Sequence, residues 1–246
     1  VAKIMLQAFL ADFTAEEIQA CVDGAYDQKF SDPVIAPVVK KGEDYFLELF
    51  HGPTFAFKDL ALSILPYLMT TAAKKNQIEN EIVILTATSG DTGKAAMAGF
   101  ADVPGTRIIV FYPENGVSWI QEKQMVTQTG ENTHVVAVKG NFDDAQTAVK
   151  QMFNNAELKS SLAANNQQFS SANSMNIGRL LPQIVYYVYT YAQLVQQGEI
   201  KNSDLINVSV PTGNFGNILA ANYAKQIGVP IDQLICASNT NNVLTD

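Results

Sequence analysis

The sequence is poor in charge, in cysteine and in histidine, and each shortage excludes a class of protein. Charged residues make up 16% of the 246 positions, and 24 acidic residues outnumber 16 lysines and arginines. A net charge of −8 argues against a nucleic acid or an anionic membrane as the principal partner. Cys21 and Cys236 form no metal or disulfide motif, which is typical of a reducing, cytoplasmic compartment. His51 and His134 have no partners at metal-ligand spacing, so no metal site is predicted.

Long apolar runs and targeting signals are also missing. No stretch approaches the ~18 apolar residues that a membrane-spanning helix needs, and no basic-then-apolar segment opens the chain. The hydrophobic fraction of 47% is typical of a folded globular chain and excludes disorder as the main state. Because the sequence neither begins with Met nor ends on a recognisable signal, we expect a partial chain that lacks N-terminal and C-terminal parts.

Apolar, β-branched runs alternate with helical patterns from residue 81 onward, which predicts a mostly parallel α/β sheet. The predicted strands are 82–87, 107–112, 134–138, 205–210 and 233–237. The predicted helices between them are 94–101, 119–127, 143–154, 177–197 and 218–226. Earlier in the chain, a capping box at residues 14–17 opens a helix, and a second helix is predicted over 58–75.

The segment 51–59 puts a lysine at the start of that second helix. Residues that share the helical face of Lys58, such as Ala61 and Leu65, are apolar, so the lysine is expected to face the core. Desolvation and the positive end of the helix dipole both lower a lysine pKa, and a neutral amine is the nucleophile that a Schiff base needs. The alternative is a lysine whose stem packs on the core while its ammonium reaches water.

Two glycine-containing turns lead from a predicted strand into a helix. Gly213 and Gly216 let the backbone approach a ligand closely, and amides at such a helix start favour an anion, typically phosphate. The alternative is an ordinary tight turn. The segment 88–93 has the same order, and its Ser89 and Thr92 hydroxyls are suited to a carboxylate or phosphate. The alternative role for its Asp91 is a helix N-cap.

A fourth segment of small polar residues precedes the helix predicted over 177–197. Arg179 follows Ser174 by five positions, and arginine is a bidentate partner for phosphate or carboxylate. The alternative is a capped helix with a surface arginine. Within this helix we interpret the tyrosines as packing residues and the glutamines as the solvated side: Tyr186, Tyr187, Tyr189, Tyr191, Gln183, Gln193, Gln196 and Gln197.

Together the four segments supply what a pyridoxal-phosphate enzyme needs, which is a nucleophilic lysine, a phosphate cradle and anion sites for an amino-acid substrate. Five motifs then resemble threonine synthase, a fold-type II pyridoxal-phosphate enzyme. They are HGPTFAFKD (51–59), TSGDTG (88–93), QEKQM (121–125), SANSMNIGR (171–179) and PTGNFGN (211–217). The resemblance runs from about residue 35 to the end of the chain, with the motifs in family order.

The resemblance implies the conversion of O-phosphohomoserine and water to threonine and phosphate, with pyridoxal 5′-phosphate as cofactor. It assigns Lys58 as the lysine that binds the cofactor and then moves protons. The loop that holds the cofactor phosphate matches Gly213, Asn214, Phe215, Gly216 and Asn217. The turn around the substrate carboxylate matches Ser89, Gly90 and Thr92, and the substrate phosphate is expected at Ser174, Asn176 and Arg179, with Lys123 adding charge.

Asp91 departs from a common pattern, because many fold-type II relatives carry Asn where it stands, facing the phenolic oxygen of the cofactor. A carboxylate there needs a proton or a different hydrogen-bond geometry. A hydroxyl residue that contacts the pyridine nitrogen in the family has no motif match in these 246 residues.

The implied fold is α/β, like the β subunit of tryptophan synthase, with two interleaved lobes whose mostly parallel sheets are flanked by helices. Residues 1–81 are expected to form a helical segment and the start of a large lobe. Residues 82–204 are expected to form a small α/β lobe, and residues 205–246 return to the large lobe.

The sequence leaves two alternatives to a threonine synthase. A phospho-lyase that converts O-phosphohomoserine to 2-oxobutyrate shares every step up to elimination, so the motifs do not separate the two enzymes. A non-catalytic binding module of the same fold is the second alternative, and it is disfavoured by the presence of both Lys58 and the phosphate loop. The motifs predict no oligomeric state.

Overall fold

A computed structural model describes residues 1–174 and 176–240. Residues 241–246, the end of the segment 205–246 that was expected to return to the large lobe, lie outside the described residues. The helices are α1 Ala2–Phe9, α2 Ala15–Ala25, α3 Lys58–Lys75, α4 Asp91–Phe100, α5 Trp119–Val126, α6 Phe142–Asn154, α7 Ala156–Ala164, α8 Ile177–Gln196 and α9 Gly216–Gln226. The strands are β1 Val38–Lys41, β2 Asp44–Leu47, β3 Glu81–Ala87, β4 Thr106–Pro113, β5 Thr133–Val138, β6 Gln167–Ser170, β7 Ile206–Pro211 and β8 Ile231–Ala237.

A four-stranded parallel sheet is the centre of the middle segment. Its strand order is β5-β4-β3-β6, and β3 pairs in parallel with both β4 and β6. Ile82 through Leu85 of β3 are all buried, because helices cover both faces of a parallel sheet and leave no solvated side. A second parallel pair joins β7 to β8, whereas β1 and β2 form an antiparallel hairpin. The predicted mostly parallel architecture is therefore confirmed.

Helix α3 packs between two hydrophobic cores. Leu60 and Ile64 lie in one core with residues of α1, α2, α8 and α9. Leu62 and Leu65 lie in the other core with residues of α4, β3 and β4. Because the two sides of one helix are buried in different cores, the first turn of α3 is held firmly in position.

The sequence pattern predicted the long elements more closely than the short ones. The capping box at Thr14 and Glu17 is present, and α3 has the predicted bounds. The five predicted strands are all found, with ends within two residues of the prediction. The elements without a prediction are α1, the β1–β2 hairpin, α7 and β6, which are at most nine residues long.

Among residues 1–174 and 176–240, no helix is long and apolar enough to cross a membrane. Over the same residues no group of three His, Cys, Asp or Glu side chains has the arrangement of a metal site. His51 instead contacts Glu48, and His134 contacts Arg107. Cys21 and Cys236 are free thiols.

Candidate active site

A cavity of about 370 Å³ lies where β3 and β7 end. Carboxyl ends of parallel strands are the usual location of ligand sites in α/β folds. Segments that are far apart in sequence meet there. The predicted site residues that line it are Lys58, Ser89, Thr92, Ser174, Arg179, Gly213, Asn214, Gly216 and Asn217.

Lys58 is the first residue of α3, and its amine is half-buried beside the ring of Phe57, 4.4 Å from the ring centroid. Burial lowers the pKa of Lys58, the nearby Asp91 carboxylate opposes that shift, and the cations Arg179 and Lys94 add to it. A larger fraction of the amine is therefore neutral than in an exposed lysine.

The Gly213–Asn217 loop leads from β7 into α9, whose start has no side-chain cap. A Cβ atom added at Gly213 or Gly216 would meet no heavy atom within 4 Å, so the backbone there faces open space. The first amides of α9 thus have the arrangement that binds an anion at a helix N-terminus. Two tyrosines of α8 hold the side chain of Asn217 in place. Its Nδ2 donates to the Tyr186 hydroxyl at 2.9 Å, and its Oδ1 accepts from the Tyr187 hydroxyl.

The turn after β3 is held by a buried threonine. Thr88 Oγ1 accepts hydrogen bonds from the amides of Gly90, at 3.0 Å, and Gly93, at 2.9 Å. Gly90 is the N-cap of α4 and has a φ of 140°, which favours glycine. The alternative interpretation of Asp91 as the N-cap is therefore wrong. Its carboxylate instead accepts from Gln121 Nε2 at 2.8 Å and lies 3.2 Å from Lys94 Nζ.

Arg179 is a buried cation that lines the cavity, which rules out the alternative of a surface arginine. Its Nη1 donates to the carbonyl of Ala172 at 3.0 Å, while its buried Nε has no partner among the described residues. Burial lowers the pKa of Arg179 to about 10, so the guanidinium stays charged at neutral pH. An unpartnered donor on a buried cation marks a position where an anion would be stabilised.

One prediction for α8 is wrong. Gln183 was expected on the solvated side, but only 5% of it is exposed, its Nε2 donates to the carbonyl of Arg179, and it lines the cavity. The helix packs on more than one side, so a polar residue at this position faces the site. The packing interpretation is confirmed for the three buried tyrosines, Tyr186, Tyr187 and Tyr191.

Five predicted site residues are not among those that line the cavity. Asn176 is the N-cap of α8 and accepts from the amide of Gly178, so it shapes the turn before Arg179. Lys123 is exposed on α5. The others are Gly90, Asp91 and Phe215.

Sequence reasoning missed several residues of the site. The buried Lys94 and the half-buried Gln121 contact Asp91, and Gln146 and Lys150 of α6 line the cavity. Lys94 had a detectable signal, because a lysine directly after TSGDTG sits three positions beyond Asp91, at ion-pair spacing on a helix. Gln146 and Lys150 belong to an amphipathic helix and are not distinguishable there from ordinary solvated residues.

The residues present fit pyridoxal phosphate. The aldehyde of this cofactor requires a poorly solvated amine, which Lys58 supplies, and its phosphate requires converging backbone amides, which the uncapped start of α9 supplies next to two open glycine positions. Both groups face the same cavity. Lys58 and the loop 213–217 would hold the cofactor.

Comparison with known proteins agrees with this fit. Residues 40–242 match the model of the family described as pyridoxal-phosphate dependent enzyme. The chain is 44% identical to human "Threonine synthase-like 1", covering 100% of this chain and 34% of that protein. It is 41% identical to threonine synthase of Schizosaccharomyces pombe, covering 95% of this chain and 45% of that protein. The chain thus spans between about a third and about half of the length of these relatives.

Solved structures give the same result. The chain matches the crystal structure of pyridoxal-phosphate-bound threonine synthase from Brucella melitensis with a TM-score of 0.84 and 37% identity, over 99% of this chain and 51% of that one. Yeast threonine synthase matches with a TM-score of 0.86 and 33% identity, over 99% and 48%. The α/β fold of type II, predicted from the motifs, is confirmed, as is pyridoxal phosphate as the cofactor of the family.

Proposed function

Because the chain belongs to the family of pyridoxal-phosphate dependent enzymes, we propose that its cavity is part of the active site of a threonine synthase. The reaction would convert O-phosphohomoserine and water to threonine and inorganic phosphate. The observation that carries the proposal is the meeting of three groups on one cavity: the poorly solvated Lys58, the uncapped start of α9 and the buried Arg179.

The amine of Lys58 has two proposed tasks. It is the attachment point of the cofactor, and once released it takes and returns protons at the carbons of the substrate. Pyridoxal phosphate, when bound, supplies an electron sink for charge that develops at those carbons. A lysine with a lowered pKa suits proton transfer in both directions, because its protonated and neutral forms are closer in free energy at neutral pH.

The substrate carries a carboxylate at one end and a phosphate at the other. We assign the carboxylate to Ser89 and Thr92, whose turn opens α4 at the cavity wall. We assign the phosphate to Arg179 and Ser174, because the Nε donor of the buried guanidinium has no partner among residues 1–174 and 176–240. Arg179 would then stabilise negative charge on the phosphate as its bond to carbon breaks. Asn176 holds the backbone that presents Arg179.

The proposal is tested with the full-length protein, pyridoxal phosphate and O-phosphohomoserine. We expect a visible absorption band, its loss on borohydride reduction with label on Lys58, and release of threonine and phosphate in equal amounts. Lys58→Ala should abolish turnover, whereas Lys159→Ala, a change at an exposed lysine of α7, should leave it unchanged.

Three results would contradict the proposal in different ways. Formation of 2-oxobutyrate in place of threonine would identify a phospho-lyase. A protein that stays colourless with added pyridoxal phosphate would indicate a non-catalytic module. Turnover by Lys58→Ala would remove the assigned role of this lysine.

A further inference from the structure

Lys94 is a buried lysine that none of the roles above uses. It lies on α4 with 7% of its surface exposed. Its Nζ donates to the carbonyl of Thr54 at 3.0 Å and lies 3.2 Å from Oδ1 of Asp91. A buried ammonium is costly unless it is paired and hydrogen-bonded, so these two contacts make up for the water that Lys94 has lost.

The carbonyl that Lys94 contacts belongs to the loop that leads into Lys58. Both the amide and the hydroxyl of Thr54 donate to the buried carboxylate of Asp59, at 2.9 and 2.5 Å. The backbone of Gly52 abuts the same carboxylate so closely that an added Cβ would lie 2.4 Å from Asp59 Cβ. Thr54 is therefore fixed, and so is the carbonyl oxygen that accepts the hydrogen bond of Lys94.

The carboxylate that Lys94 contacts is fixed as well. Gln121 Nε2 donates to Oδ1 of Asp91, and Gln121 Oε1 accepts from the amide of Ser118 at 3.1 Å. Both of these contacts go to Oδ1 of Asp91. The side chain of Asp91 is 42% exposed, whereas that of Lys94 is 9% exposed, so the pair joins a buried cation to a partly solvated carboxylate.

We propose that Lys94 is a positioning residue, the internal counter-ion of Asp91, and that it ties the Asp91 turn to the loop that carries Lys58. The inference rests on the proposed function only for its turnover readout. It explains how the partly buried carboxylate of Asp91 stays ionised, because the nearby ammonium of Lys94 balances its charge. Burial by itself raises the pKa of Asp91, but the hydrogen bond from Gln121 and the nearby Lys94 lower it on balance.

The pair can be tested by removing one charge at a time and then both. Lys94→Met leaves Asp91 without its counter-ion, and Asp91→Asn leaves a buried ammonium with neutral oxygen partners and no counter-ion. The double variant Asp91→Asn with Lys94→Met removes both charges and keeps an amide that still accepts from Gln121. The effects of substitutions at coupled sites are not additive. The losses measured for the double variant should therefore be smaller than the sum of the losses of the two single variants.

The measurements use the full-length protein and two readouts besides turnover: the midpoint of unfolding without cofactor, and the rate at which pyridoxal phosphate is trapped on Lys58 by reduction. We expect each single variant to trap cofactor about tenfold more slowly and to unfold more easily, and the double variant to recover most of both losses. Lys159→Met is the matched control and should change neither readout.

Additive losses in the double variant would overturn the proposal, because they would show that the two side chains act independently. An Asp91→Asn variant that matches the wild type in both readouts would also overturn it. Since trapping and unfolding do not require any product, these outcomes are separate from a failure to form threonine.

Discussion

At the scale of single residues, the environment of Lys58 has a measurable consequence. Burial is the largest cause of its lowered pKa, so its amine becomes neutral at a lower pH than that of an exposed lysine. We expect the rate of reductive trapping of pyridoxal phosphate on Lys58 to rise with pH, with a midpoint below the ordinary lysine value. The modification at each lysine is measured by peptide mass spectrometry across a pH series.

Lys159 in the same samples is the internal control, because it is exposed. Its modification shows that the reduction works across the pH series. A midpoint for Lys58 at the ordinary lysine value would show that Lys58 is solvated in solution. The lowered pKa of Lys58 also affects stability. At a pH between the lowered and the ordinary pKa, the unfolded chain binds a proton at Lys58 that the folded chain does not bind. The contribution of Lys58 to the free energy of unfolding therefore increases as the pH rises through this range.

Some residues of the site could be predicted from the sequence around them, and others could not. Lys58, Gly213 and Gly216 were predictable because each lies in a short segment whose spacing has a physical meaning, a helix start or a close backbone approach. Gln183 was predicted wrongly because a glutamine on an apolar helix gives no sign of which side the rest of the chain will cover. The contact of Lys94 with the carbonyl of Thr54 was not predictable, because the two residues are 40 positions apart.

At the scale of secondary-structure elements, the contact between α3 and α4 depends on one glycine. A Cβ added at Gly99 would lie 2.2 Å from the backbone carbonyl oxygen of Leu62, so the two helices touch through their backbones. The Gly99→Ala change should therefore lower the free energy of unfolding by about 1–3 kcal/mol, although alanine is the better helix former. Denaturant unfolding measures the loss.

Gly24→Ala is the matched control, because Gly24 also lies within a helix, α2. The atoms nearest to its added methyl would belong to the ring of Tyr67, and a side chain can move aside more easily than a helix. We expect a loss well below that of Gly99→Ala. Equal losses in the free energy of unfolding for the two variants would contradict the tight backbone contact between α3 and α4. Because α3 begins at Lys58, Gly99→Ala should also slow cofactor trapping.

Elements were predictable from sequence in proportion to their length and periodicity. Helix α3 and strand β3 are rich in apolar residues, and both were predicted with bounds that agree to within a residue. Strand β6 has only four residues, all half-buried, and it becomes a strand because β3 offers an unpaired edge. That edge arises from the tertiary fold, so no local pattern in residues 167–170 could have revealed it.

At the scale of the whole molecule, the site is assembled from parts of different cores. Lys58 begins α3, which packs between both cores. The turn 88–93 leads into α4 of the parallel-sheet core, and the loop 213–217 leads into α9 of the other core. The sequence predicted these three segments separately. Their distance from one another is set by the packing of α3, α4 and α8, which motif spacing does not encode.

A ligand that bridges these segments should stabilise them together. We expect pyridoxal phosphate to slow backbone hydrogen exchange in three separate segments of the full-length protein, namely the first turn of α3, residues 86–93 and residues 211–217. The physical reason is that local opening of any one of them would break contacts with the bound cofactor. The hairpin β1–β2 contributes no residue to the cavity and should exchange at the same rate with and without cofactor. Protection confined to α3 would show that the cofactor is attached to Lys58 without engaging the loop of α9, and would contradict the assignment of that loop as the phosphate cradle.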